Sequence, residues 1–166
     1  YGDAHAAKAI ALLASGLPRV KANRQDLDAR LDCQMGAWLS MGALASGVPM
    51  GASHGIGYVL GAMFGVPHGH TSCLMLPAVM RWDASANADR QALVAAAMGR
   101  PGEDASGVLD AFIRGLGMPR SLRDVQIGPE HFDMIAAQAM NTPWVPRNPR
   151  PIAGPAQVRE ILEIAA

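Results

Sequence analysis

Two histidines, His54 and His68, stand fourteen residues apart inside a run of 48 residues, Cys33 to Met80, that holds no Asp, Glu, Lys or Arg. Neutral imidazole in low-charge surroundings is a ligand for zinc, iron and other divalent ions. A helix over about residues 51–64 rises about 1.5 Å per residue. A turn at Gly65-Val66-Pro67 then folds His68 back beside that helix, so the two rings can converge. Spacing alone leaves a second reading open, in which both are hydrogen-bonded core histidines. Tyr58 follows His54 by one helical turn on the same face. Its phenol can donate to a substrate oxygen or close a hydrogen bond in the core. His70 reads as a surface or turn residue, while His5 and His131 lie in solvated stretches and are assigned nothing.

Other chemistries are missing. Gly-x-Ser-x-Gly does not occur, nor does a phosphate loop with Gly-Lys-Ser/Thr. Gly51, Gly55 and Gly57 do not follow a strand pattern, so they make no dinucleotide fingerprint. The uncharged run has no paired carboxylates, which speaks against glycosidase chemistry. Formal net charge is zero with 14 basic and 14 acidic residues. A nucleic-acid binder should carry a basic face. Cys33 and Cys73 are too few for a disulfide framework or zinc ribbon, and they suit a reducing, cytoplasmic setting.

The elements that would position these residues read as helices. Half of the 166 residues are apolar, enough for a core. Thirty alanines outnumber twenty Val, Ile and Thr, which favours helix over strand. Residues 3–15 predict a first helix, stopped by Gly16 and Pro18. A second should run from near Arg24 to about Ala45, with Leu27 and Leu31 on one face. Its second half and the following helix would form a Gly-rich pair buried on all sides. A membrane hairpin is the alternative for this run. Pro49, Pro67, Pro77 and the scattered glycines leave no clean apolar window of about 20 residues. Further helices are expected over 87–98 with Asn87 as cap, over 103–116, from Pro129 to about Met140, and over 155–165 with Val158, Ile161, Leu162 and Ala165 on one stripe. Residues 141–155 hold five prolines and must be turned or extended. The expectation is one all-α domain over 1–166, an antiparallel bundle of six to eight helices.

The motif His54-Gly55, Gly61, Gly65, Pro67-His68-Gly69, then Leu76-Pro77 and Val79-Met80-Arg81, resembles the C-terminal signature of the iron-containing alcohol dehydrogenases. The ending Thr142-Pro143 with Asn148-Pro149-Arg150-Pro151 is similar to the maleylacetate reductase branch of that family. The resemblance covers essentially the whole chain.

The resemblance implies an N-terminal α/β domain binding NAD(P) and a helical C-terminal domain holding one metal, Fe²⁺ or Zn²⁺. The family's ligands are an Asp and three His, of which the last two match His54 and His68. The others belong to an Asp-x-x-x-His helix that would lie just before Tyr1; Asp3 and His5 have the wrong spacing. No charged and apolar leader opens the chain, which reads as the C-terminal half of such an enzyme or a truncated relative. Many members carry a further histidine where this chain has Tyr58, so a proton relay by that route is altered here. The implied activity is hydride transfer between nicotinamide and an alcohol, aldehyde or keto substrate. The maleylacetate reductase branch implies enoate reduction without metal instead. Asn148 and Arg150 would line the cleft toward the nucleotide domain, or serve as solvated turn residues. The partner expected is a small molecule, with neither nucleic acid nor membrane; a homodimer is left open. Beside the enzyme stands a non-catalytic helical module with buried structural histidines.

Overall fold

The computed structural model describes residues 1–166 and contains seven α-helices and no strand. They are α1 (Gly2–Ala22), α2 (Leu27–Ala45), α3 (Ala52–Phe64), α4 (His68–Ala97), α5 (Ala105–Leu116), α6 (Phe132–Ala139) and α7 (Pro155–Ile164). Single 3-10 turns occur at Leu122–Val125, Pro129–His131 and Val145–Arg147. The chain divides into two compact units. One comprises Tyr1–Pro49 with Asp89–Leu116, the other Met50–Ala88 with Gly117–Ala166. The long α4 contributes to both and breaks at Asn87, whose φ of −146° and ψ of 33° are not helical. The residue expected to cap a new helix thus marks the kink.

In the first unit α1 and α2 form an antiparallel hairpin. Asp26 caps α2 by accepting the Ala29 N–H at 2.9 Å, and Arg19 bonds both Asp26 and Asp32. The expected stop at Gly16 and Pro18 does not occur, and α1 continues to Ala22. The reason is tertiary. Gly16 is buried so close to α2 that an added Cβ would lie 2.8 Å from Cys33 Sγ and 3.0 Å from the Ala29 carbonyl. Pro18 is exposed near the helix end, where it forfeits one backbone bond, and the next residue, Arg19, ties this last turn to Asp26 and Asp32.

Gly36 repeats the close approach against Leu13 and Ala9. The small-residue side of α2 is therefore the buried one, with Ala29 and Gly36 fully covered. This corrects the expectation that the second half of α2 is buried on all sides, since Met35, Trp38, Met41 and Leu44 are exposed; Leu27 and Leu31, expected on one face of the first half, are exposed too.

The second unit holds the larger core, where Ile56, Leu60, Leu74, Met75, Phe132, Ile135, Ile161 and Leu162 are fully covered. Each such side chain contributes about 1.5–3 kcal/mol of burial free energy. Here α3 buries Ala52, Gly55, Ile56, Gly57, Val59 and Leu60, but leaves Tyr58 and Met63 exposed. It ends at Gly65 in the left-handed conformation, φ 65°, a shape that suits glycine and turns the chain toward α4. Pro155 opens α7, and the Gln157 side chain accepts the N–H groups of Ala153 and Gly154. No helix is long and apolar enough to cross a membrane.

Candidate functional site

The site is assembled by the second unit from three pieces of chain. His54 lies in the first turn of α3 and is half-buried; His68 is the first residue of α4 and is exposed. Their rings come together with centroids 5.8 Å apart and planes at 82°. Gly57 makes this approach feasible, since a Cβ there would sit 3.0 Å from Thr71 Oγ1 of α4. The buried Thr71 hydroxyl donates to the His68 carbonyl at 2.7 Å and fixes the start of α4. The cleft is open on the His68 side rather than fully dry.

The third piece is the proline-rich segment, turned by a 3-10 helix at Val145–Arg147. It places the Trp144 indole edge-on against His54, 4.6 Å between centroids, and 5.5 Å from the Tyr58 ring. Trp144 was not singled out from sequence. The available signal was a half-buried aromatic type set among prolines, in a segment that resembles the family, but nothing local pairs it with residue 54. Close contact is again set by glycine. At Gly55 an added Cβ would lie 2.7 Å from both Thr142 Oγ1 and Val145 Cγ2.

Burial holds the His54 imidazole below its usual pKa, and the neighbouring His68 adds to the effect. The neutral, lone-pair-bearing form is thereby favoured. Tyr58 is 58% exposed, so its ring edge faces solvent rather than the core. A side chain this exposed does not sit in the core, where the hydrogen-bonding option for its phenol would put it.

Asn148 and Arg150 have contacts of their own. Asn148 is buried; its Oδ1 accepts the Ala52 N–H at 3.0 Å, and its Nδ2 donates to Asp83 Oδ1 at 2.6 Å and to the Arg150 carbonyl at 3.0 Å. Arg150 donates to the Trp82 carbonyl at 2.8 Å and stacks its guanidinium 3.8 Å over the Trp82 ring. Trp82 Nε1 in turn donates to Glu160 at 2.9 Å. These bonds tie both residues into the packing of the unit, so Asn148 is not the solvated turn residue that the sequence left open as its second role.

Could the histidine pair hold a metal? Two imidazoles sharing a tetrahedral ion through bonds of about 2.1 Å keep their centroids roughly 5 Å apart. The observed 5.8 Å is close to that, and the neutral state of His54 suits a ligand. The pair fits two positions of a coordination shell. No group of three or more His, Cys, Asp or Glu converges anywhere in the chain, so the shell is incomplete within it.

Residues 1–166 match the model of the C-terminal region of the Fe-containing alcohol dehydrogenase family. The chain belongs to that family. Among its relatives is a maleylacetate reductase of Rhizobium sp. (strain MTP-10005), 33% identical over 143 residues, covering 86% of this chain and 40% of the relative. A lactaldehyde reductase of Escherichia coli K12 is 31% identical over 157 residues, covering 89% of this chain and 40% of the relative. The solved maleylacetate reductase of Agrobacterium tumefaciens superposes with a TM-score of 0.86 at 29% identity, over 99% of this chain and 45% of that one. The chain thus spans less than half the length of the relatives it matches. The expected all-α fold and family are both found.

Proposed function

We propose that this chain is the metal- and substrate-binding half of an NAD(P)-dependent oxidoreductase acting on a small alcohol, aldehyde or keto compound. The single observation that carries the reading is the convergence of His54 and His68, from different helices, to 5.8 Å beside an aromatic wall. A divalent ion, Fe²⁺ or Zn²⁺, bound by this pair would supply Lewis acidity toward a substrate oxygen. The nucleotide would be held mainly by the N-terminal α/β domain typical of the family, and it carries the redox chemistry.

The chain's own residues contribute binding, orientation and water exclusion. His54 offers a neutral ring nitrogen, because burial disfavours its protonation. Trp144 and Tyr58 form an apolar wall along one side of the pair. Such a wall keeps water from a bound carbonyl and lowers the local dielectric, which strengthens every polar contact made there. The Tyr58 hydroxyl, at the exposed end of that wall, would donate to a substrate oxygen.

The test is a titration of the chain with Co²⁺, read by visible absorption. Weak binding is expected, lost in His54→Ala and in His68→Ala. Full affinity in both variants would remove the reading. No NAD(P)-dependent turnover is expected from the 166 residues alone, because two ligands and no nucleotide loop make an incomplete site.

The maleylacetate reductases among the chain's relatives favour a second reading, enoate reduction of that type without metal. The imidazoles would then bind or protonate substrate directly. Absence of Co²⁺ binding, together with loss of activity on His68→Ala in the full-length enzyme, selects that reading.

A further inference from the structure

The 3-10 turn Val145–Arg147 has the same segment of chain touching the site at both ends. At its N-terminal end the Trp144 indole rests on the His54 ring. At its C-terminal end the Asn148 side chain accepts the Ala52 N–H, in the helical turn that carries His54. The turn is closed by its own backbone bonds, Arg147 N–H to the Trp144 carbonyl at 3.0 Å and Asn148 N–H to the Val145 carbonyl at 3.2 Å. It acts as a bracket whose two arms grip the imidazole and the backbone behind it.

Asn148 cannot turn away, since both ends of its amide are occupied. Its oxygen holds α3 and its nitrogen holds Asp83 of α4, the helix that begins with His68. Gly51 has no room for a side chain at this junction, where a Cβ would lie 2.9 Å from Asn148 Oδ1. Asp83 is only 3% exposed, and burying a carboxylate costs free energy that an apolar residue would avoid. A buried polar network of this kind fixes one geometry rather than adding bulk stability.

We propose that Asn148, backed by Asp83, is a positioning residue. It sets the start of α3 so that His54 meets Trp144 on one side and His68 on the other. What the positioning is for rests on the function proposed above; the positioning itself does not.

The experiment uses the metal-free chain and reads ring-to-ring NOEs between His54 and Trp144 and between His54 and His68. Wild type should show both. Asn148→Ala and Asp83→Ala should lose them while the helical circular dichroism stays. Glu160→Ala, which removes the acceptor for the Trp82 N–H at the far end of the same network, should keep them. Should Asn148→Ala fail to fold, Asn148→Asp retains the acceptor for Ala52 but sets a carboxylate against Asp83. It should lose the NOEs, and the double variant Asp83→Asn/Asn148→Asp should regain them. In parallel, Co²⁺ affinity should fall about 10- to 100-fold in Asn148→Ala, the range for residues behind a metal ligand.

NOEs unchanged in Asn148→Ala, or lost equally in Glu160→Ala, overturn the positioning role. A double variant no better than the single one does the same. A wild-type chain that binds no Co²⁺ yet follows the NOE pattern removes the metal reading and leaves the positioning intact.

Discussion

The His54 imidazole meets the Trp144 indole edge to face, at 84° between planes and 4.6 Å between centroids. This geometry is among the favoured ones for aromatic pairs and is worth about 0.5–1.5 kcal/mol beyond area burial. It also makes Trp144 a reporter. A paramagnetic ion held by the histidine pair would lie close to the indole, since the His54 ring touches it. Added Co²⁺ should therefore quench a component of the tryptophan fluorescence, and Trp144→Phe should remove that component while the other two tryptophans, Trp38 and Trp82, persist. Quenching that survives Trp144→Phe would place the ion elsewhere.

Two glycines separate space from propensity. Alanine in place of helical glycine gains about 0.5–1 kcal/mol where there is room. At Gly115 in α5 nothing lies within 4 Å of the added Cβ, so Gly115→Ala should raise stability by roughly that amount. At Gly55 the Cβ would meet Thr142 Oγ1 and Val145 Cγ2 at 2.7 Å. The Thr142 hydroxyl is pinned by its bond to the Ala139 carbonyl at 2.7 Å and cannot easily give way. Overpacking costs about 1–3 kcal/mol, which exceeds the propensity gain. Gly55→Ala should lower the urea midpoint, whereas Gly115→Ala should raise it. The reverse order would show that α3 moves freely against the proline-rich segment.

What could be read from sequence divides along the same physical line. The histidine pair was legible because a glycine and a proline mark the turn between His54 and His68. The last helix was legible because Val158, Ile161 and Leu162 repeat at helical spacing and do face the core. The end of α1 was misread, because Gly16 looks like a stop by propensity and is instead a contact point that only the partner helix explains. The α2 face was misread for the converse reason. Large apolar residues signal burial, but in this hairpin alanine and glycine make the closer contact. Trp144 and the role of Asn148 were not legible, since each depends on an element some ninety residues away, and no local period links such pairs.

The exposed Asp124 caps the 3-10 turn at Leu122–Val125 by accepting the Arg120 and Ser121 N–H groups at 2.9 and 3.0 Å. Those two bonds, that to Arg120 first, hold its carboxyl below the usual value. A depressed folded pKa gives stability that is present above the unfolded pKa of 3.8 and lost as pH falls through the folded value. Asp124→Ala should therefore lower the melting temperature at about pH 7, and the gap to wild type should close in acid. A gap of constant size between those conditions would assign the effect to something other than the carboxylate.

Asp83 should behave in the opposite sense. Burial raises its pKa, and the bonds from Asn148 and the Arg150 backbone, with the Arg150 charge, only partly oppose this. The folded chain thus prefers the protonated carboxyl more than the unfolded chain does. Its contribution is most favourable below 3.8 and is lost as pH rises through the higher folded value. Asp83→Asn is close in shape, keeps an oxygen acceptor for Asn148, and never ionises. Relative to wild type it should gain stability as pH climbs from about 4 toward 7, read as the difference between two urea-midpoint curves over that range. A difference that stays flat, or that turns against Asp83→Asn with rising pH, would mean that the bonds to Asn148 and Arg150 outweigh the burial of the charge.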